Sequence, residues 1–429
     1  MKGFDIKKYQ YAYRALKNPN YRLFFAGQSI SLIGTWMQRI AVSWLVYRLT
    51  GSALLLGAVG FATQIPNFIL APFGGVIADR YNRYRILLVT QVLSLIQASV
   101  LATLVLLKTV QVWEVFTLAF CLGLINALDV PVRQAFVVEM VDNEENLGNA
   151  IALNSFMVNI ARMLGPTLAG VLIATWGEGV CFLVNAVSFV AVIASLWAMH
   201  IKPRTQKKRS QDFLIELREG LGYAYHSLPL RSILCLLALV SLMGMPYQVL
   251  MPIFAKQSFG GDSRTLGFLM SMIGIGAICG GIFLAGRRTV YGLVDLLPRA
   301  AALFGLGLVG FALSRQVALS ALLLVLCGCG MMMNLATSNT ILQSLVDEDK
   351  RGRIMSLHTV AFLGMAPFGN LISGFLAQRW GAPNTILFGG TCCLVGASVF
   401  AWVLPSFRGE IHAAYARKGI VPSEPDVAA

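Results

Sequence analysis

Asn126, Asp129 and Arg133 stand at i, i+3 and i+7 in an otherwise apolar stretch, so an α-helix places all three on one face. Asp129 and Arg133, four residues apart, can pair directly on that face. Burial favours the neutral acid and the arginine favours the carboxylate. A conformational change that separates the two would make Asp129 take up or release a proton. A pair that stays together is a static brace or a gate, and the residues alone leave both readings open. Pro131 removes a backbone donor beside them and lets the helix bend. No other carboxylate lies as deep in an apolar segment.

Two more charges lie in apolar surroundings, Arg39 and Arg162. Arginine stays charged at any ordinary pH, so each needs a partner, water or an anionic solute. Arg39 has the alternative of reaching an outer surface along its own stem. Three arginines against one aspartate leave a positive surplus, which favours anionic or neutral solutes over cationic drugs. Gln28, Gln38, Gln64, Asn154, Asn159 and Tyr247 add hydrogen-bonding groups suited to a solute cavity, although each also suits an interhelical contact. Covalent chemistry is not indicated. The histidines, at 200, 226, 358 and 412, form no set with a nucleophile and an acid, and no Gly-x4-Gly-Lys-Ser/Thr loop exists to cradle phosphates. The eight cysteines all fall in apolar segments without zinc-site spacing and read as small hydrophobes. No enzyme activity, metal or cofactor is expected.

The elements that must carry these groups are membrane helices. Of 429 residues, 57% are hydrophobic and 13% charged, where a soluble domain has about 25% charged. Apolar stretches recur that are long enough to cross a hydrocarbon core about 30 Å thick. Twelve are read, at 22–47, 53–78, 86–107, 112–140, 148–175, 179–200, 232–257, 265–286, 293–314, 317–345, 354–378 and 383–404. The fold class is an all-α membrane protein of twelve transmembrane helices in two six-helix halves. The divisions are a 1–21 arm, a 22–200 half, a 201–231 linker, a 232–404 half and a 405–429 tail. In the linker, Leu214, Leu217 and Leu221 at helical spacing predict an amphipathic helix on the membrane surface, with a plain linker as the alternative over its first part. The first twenty residues are polar and basic, without the pattern of a cleavable signal. Most of the 34 Lys and Arg fall on one side of this topology. That bias predicts a multi-pass inner-membrane protein with both termini cytoplasmic. The net charge of +14 then answers to an anionic inner leaflet rather than to nucleic acid.

The halves look like copies. Gly170 to Trp176-Gly177 matches Gly374 to Trp380-Gly381, Val141-Asp142 matches Val346-Asp347, and Leu153 matches Leu357. The mate of Asp129 is Asn334 and that of Arg133 is Ser338, so a coupling charge is expected in the first half alone, with Asn334 as a neutral cavity candidate. Six plus six helices from a duplicated half is a transporter architecture, with its site near the midplane.

The turn after the second apolar stretch holds Gly75, Asp79, Arg80, Asn82, Arg83 and Arg85, whose arginines can pair with Asp79, with Glu139 and with phospholipid head groups. It resembles the loop Gly-x-x-x-Asp-Arg-x-Gly-Arg-Arg/Lys between helices 2 and 3 of the major facilitator superfamily. Asn82 replaces the usual Gly, and since Asn tolerates the left-handed conformation the turn is expected to survive. Ala161, Gly165, Pro166 and Gly170 resemble the helix-5 motif of drug-proton antiporters, with Ala at several of its small positions; ordinary close packing is the alternative. With Asn18-Pro19-Asn20-Tyr21-Arg22, Gly34-Thr35-Trp36-Met37-Gln38 and Pro131-Val132-Arg133-Gln134, these stretches resemble the antiporter branch of enterobactin-type siderophore exporters and macrolide efflux proteins. The resemblance implies a monomeric secondary transporter whose partners are a small-molecule substrate and protons. It implies proton-coupled export of a siderophore, macrolide or other drug-like compound by alternating access. Gly75, Asp79, Arg80, Arg83 and Glu139 would form a conformational lock. Uptake, uniport or lipid flipping on the same fold is the alternative.

Overall fold

The computed structural model describes residues 14–141, 144–200, 221–287, 289–290 and 292–418. Among them are twelve long helices: α1 (Pro19–Thr50), α2 (Ala53–Arg80), α3 (Arg83–Leu106), α4 (Val112–Met140), α5 (Glu144–Trp176), α6 (Glu178–Trp197), α7 (Leu228–Ser258), α8 (Ser263–Ala285), α9 (Leu293–Leu313), α10 (Val317–Leu345), α11 (Glu348–Thr359, Val360–Gly364 and Met365–Trp380) and α12 (Ala382–Arg417). Eleven contain stretches long and apolar enough to cross a membrane by length and composition. The other, α1, carries Arg22, Arg39 and Arg48, but its 32 residues at about 1.5 Å each exceed the hydrocarbon thickness.

Local chemistry sets the helix ends. Asn18 accepts the backbone N–H groups of Asn20 and Tyr21 at 2.9 and 3.3 Å, and Pro19 occupies the first turn, where no donor is needed. Gly51, at φ 62°, closes α1 by donating to the Tyr47 carbonyl at 2.8 Å. Asn82 corrects an expectation: its φ is −64°, not left-handed, and its side chain caps α3 by accepting the Arg85 N–H at 3.1 Å. The turn survives because Asn caps a helix as well as it tolerates a turn.

One other expectation is modified and one lies outside the described residues. The tail expected from 405 begins as helix, since α12 runs on to Arg417. Phe407, Ile411 and Tyr415, spaced by four, are buried along it, and Lys418 donates to the Val346 carbonyl at 2.8 Å. Hydropathy ends at Arg408 and Glu410; the packed stripe does not. The linker helix expected around Leu214 and Leu217 lies outside the described residues, while 221–226 is helical.

The chain forms two compact units. One comprises Met1–Gly51, Ala62–Ser210 and Gly261–Ser271, the other Ser52–Phe61, Gln211–Gly260 and Met272–Ala429. The first turns of α2 therefore belong with the second unit and those of α8 with the first, an exchange that span positions could not show. In the first unit α1 packs on α5 and α6, and α3 on α4 and α6. In the second, α7 packs on α11 and α12, and α9 on α10 and α12. Each pairing recurs six helices later, as the sequence repeat requires.

Small residues let these helices touch. A side chain at Gly165 would put its Cβ 2.5 Å from the Cβ of Trp36 and 3.1 Å from the Ile33 carbonyl oxygen. Ala161 sits in the same α1–α5 seam with Leu32 and Met157. Gly165→Leu is expected to push α5 off α1 at a cost of about 1–3 kcal/mol, read as a lower thermal midpoint in detergent than that of Leu164→Ala, which faces outward. Equal midpoints would show that the seam yields.

Candidate functional site

The Asp129–Arg133 pair forms. Arg133 Nε lies 3.4 Å from Asp129 Oδ2, with Asp129 buried and Arg133 20% exposed. The sequence reading missed what holds the other oxygen: Thr90 Oγ1 and Gln91 Nε2, on α3, donate to Asp129 Oδ1 at 2.9 and 2.8 Å. Three donors from two helices therefore converge on one carboxylate. The signal was legible as adjacent polar residues in an apolar span, but adjacency to Asp129 was not. Asn126 stands on α4 half-buried and is no part of this group.

At the repeat-related place in the second unit, Asn334 and Ser338 on α10 are buried. The Ser338 hydroxyl lies 3.2 Å from His358 Nε2 on α11, and neither amide atom of Asn334 has a hydrogen-bond partner among the described residues. A neutral polar cluster thus replaces the ion pair. That His358 meets Ser338 is visible only in the fold.

Of the lock residues, Arg83 Nη1 pairs with Glu139 at 2.9 Å and also donates to the Ala135 carbonyl at 3.3 Å. Gly75 and Asp79 lie in helical α2, but their surroundings are outside what the structure describes; Arg80 is exposed. Arg83→Glu is expected to slow transport several-fold, and the exchange Arg83→Glu with Glu139→Arg to restore it in part, because the swapped pair keeps the attraction. Measured turnover of the three proteins checks this; a double variant no faster than the single one sinks the pair's role.

The cavity candidates separate. Gln38 is committed to packing: Asn185 donates to its carbonyl at 2.6 Å, and its own amide donates to Gln97 at 3.0 Å, a buried bridge across α6, α1 and α3. Asn159 donates to its own helix at Ser155. Gln28 is buried on α1, Gln64 is half-buried on α2 and Tyr247 is buried on α7. Arg39 and Arg162 come together. Their guanidinium carbons lie 4.4 and 5.2 Å from the centroid of the same Trp36 ring. Trp36 reads as mere motif in the sequence, and the fold makes it their shared platform.

Ala161 and Gly165 line the α1 seam, whereas Pro166 and Gly170 meet α8. A Cβ on Gly267 would stand 2.3 Å from the Pro166 carbonyl oxygen and 3.0 Å from the Gly170 Cα. The Ser263 hydroxyl donates to the Gly170 carbonyl at 3.0 Å, and the Thr167 and Ser271 hydroxyls meet at 2.6 Å. The repeat mate of Gly170, Gly374, meets Gly57 in the second unit: a Cβ on either would stand 2.8 Å from the other's Cα.

Residues 11–418 match a family described as transmembrane secretion effectors. The staphyloferrin A transporter of Staphylococcus aureus is 25% identical over 89% of this chain and 96% of its own. Macrolide efflux protein A of Streptococcus pyogenes is 23% identical over 89% and 96%. The enterobactin exporter of Shigella boydii is 26% identical over 80% and 81%. Among solved structures, a bacterial homologue of the lysosomal transporter Spinster superposes with a TM-score of 0.71 at 12% identity, covering 95% of this chain and 99% of that one.

Proposed function

From its membership of the transmembrane secretion effector family, within the major facilitator superfamily, we propose that this chain is a proton-coupled exporter of a small organic molecule working by alternating access. That it is a multi-pass membrane transporter and not an enzyme follows from the family and its relatives. Export is supported by relatives named for siderophore and macrolide export. The observation that carries proton coupling is Asp129, a buried carboxylate held by three donors from two helices. Moving α3 against α4 would take the Thr90 and Gln91 donors away from this carboxylate, which is the proposed route by which conformation governs its proton. Only such a difference between states lets a gradient drive transport. Arg83 and Glu139, with Asp79 and Arg80, are proposed to stabilise one state. The protein acts in the inner membrane as a monomer, with both termini cytoplasmic and the basic residues on the anionic leaflet.

The test is efflux from an exporter-deficient bacterium expressing the chain, with a catecholate siderophore and a macrolide as cargoes, with and without an uncoupler. Loss of one cargo that stops on uncoupling is the expected result. Efflux that ignores the uncoupler removes proton coupling, and accumulation in place of efflux removes export.

A further inference from the structure

A cavity of about 710 Å³ lies between α7 and α12 of the second unit. The two helices run antiparallel: a Cβ on Gly389 would stand 2.3 Å from the Met243 carbonyl oxygen, and one on Gly396 2.3 Å from Leu239 Cδ2. Leu239 and Gly396, with the buried Leu236, line the cavity where the helices touch and close its inner side. Cys235 on α7 and Phe388 and Val395 on α12 line it too and stay exposed, so its outer side is open. The α12 wall runs from Phe388 to Val403, about 22 Å at 1.5 Å per residue. That is longer than one leaflet of a hydrocarbon core about 30 Å thick. The cavity is therefore a trough along the two helices, suited to an extended acyl chain.

Lipid tails are as apolar as leucine, so a chain gains little by leaving the bulk bilayer for this trough. Any selectivity comes from the end of the trough, and one end is basic. Arg231, in the first turn of α7, lines the cavity together with Leu228 and is exposed. Its guanidinium carbon lies 5.5 Å from the centroid of the Tyr225 ring. No carboxylate pairs with it among the described residues, and further along α12 Arg408 is already paired with Asp295. Ser227 makes no side-chain cap bond at the start of α7, so the positive end of that helix adds to the same potential. Tyr225 and Trp402, which adjoins Val403, are exposed aromatic residues of the kind found at a membrane–water boundary. Arg231 thus stands at head-group level, above an apolar trough.

We propose that the α7–α12 trough is a binding site for an anionic phospholipid of the bilayer, with one acyl chain in the trough and the phosphate on Arg231. The guanidinium fork suits a two-point contact with a phosphate. A zwitterionic lipid also carries a phosphate, but its head-group cation is repelled by Arg231 and by the positive end of α7. Just beyond Leu239 the helix passes into a π-helical segment, Val240–Gly244, whose Ser241 donates to the Phe362 carbonyl on α11. Such segments interrupt regular helix hydrogen bonding, and a bound chain braces α7 directly beside one. The site depends neither on the direction of transport nor on what is carried.

The test uses the purified full-length protein in phosphatidylcholine nanodiscs. Each disc holds a small fraction of phosphatidylglycerol or of phosphatidylcholine with a photoreactive group on one acyl chain. Irradiation and peptide mass spectrometry then locate the chain. The expected result is labelling of α7 and α12 by the phosphatidylglycerol probe, about fivefold or more above the phosphatidylcholine probe and lowered by a similar factor in Arg231→Gln. Arg287→Gln, which removes an exposed arginine just past α8, should leave the labelling unchanged. Cys235→Trp, which fills the trough, should exclude the chain while keeping Arg231. Phosphatidylglycerol should raise the thermal midpoint of the parent protein and of Arg287→Gln but not of Arg231→Gln, and equal midpoints in pure phosphatidylcholine confirm that the variants fold. Equal labelling by the two probes, or labelling indifferent to Arg231→Gln, would overturn the proposal and leave only ordinary boundary lipid. Labelling displaced by erythromycin but not by unlabelled phosphatidylglycerol would give the trough to a solute. A dimer in the disc with α7 and α12 unlabelled would give it to a second copy of the chain. Either outcome overturns the proposal as well.

Discussion

Asp129→Asn is expected to abolish uphill, proton-driven efflux while leaving exchange of substrate across the membrane without a gradient. Asn keeps the volume of Asp, and its carbonyl can still accept from Thr90 and Gln91 at the place of Oδ1. It cannot carry a proton, and it offers Arg133 an amide N–H where a carboxylate oxygen stood at 3.4 Å. Breaking a buried pair costs about 3–5 kcal/mol; the cost here is smaller because Arg133 keeps 20% of its surface exposed. The protein should therefore fold, and Arg133→Gln in the same background should relieve the residual destabilisation by removing the orphaned charge. Accumulation ratios in proteoliposomes, with and without an imposed pH gradient, check the prediction. A variant that still concentrates cargo against its gradient places the coupling proton elsewhere, with His358 beside Ser338 as the next group to change.

Gly267→Val should disrupt the α5–α8 contact and stop turnover. The added Cβ would stand 2.3 Å from the Pro166 carbonyl oxygen and 3.0 Å from the Gly170 Cα. Both are backbone atoms that cannot rotate away, unlike a flexible side chain. Overpacking of this kind costs about 1–3 kcal/mol, enough to shift a two-state contact by roughly fivefold to a hundredfold. Spin labels at Val171 and Arg264 should report longer distances in the variant. Gly57→Val tests the mirror contact with Gly374 in the same way. Unchanged distances together with normal transport would show that the helices tolerate side chains here and that close approach is not required.

Much of this was legible in the residues. Eleven of the twelve long helices are marked by hydropathy, because a backbone that crosses hydrocarbon has no partner for its polar groups except itself. The Asp129–Arg133 pair followed from spacing, because i and i+4 meet on any helix. The repeat of Gly170-to-Gly177 in Gly374-to-Gly381 foretold that helix pairings recur six helices on. Other features were illegible for a common reason. Thr90 and Gln91 precede Asp129 by about forty positions, and Gln38, Gln97 and Asn185 span more than half of the first unit. Polar side chains in an apolar span announce that they need partners but not which ones.

What the sequence by itself determined is the kind of protein: a membrane-spanning, duplicated, all-helical chain with few ionisable groups in its interior. Those properties depend on composition and on periodicities of a few residues, which the chain carries wherever it folds. What only the tertiary structure decided is the use of each group. Gly170 was a small residue until α8 was seen against it. Gln38 was a cavity candidate until Asn185 and Gln97 claimed its amide. Trp36 was one aromatic among many until Arg39 and Arg162 were found over its ring. Helix packing decides these matters because a contact between distant segments depends on rotation and depth, to within a few ångströms, and no local pattern of residues encodes either.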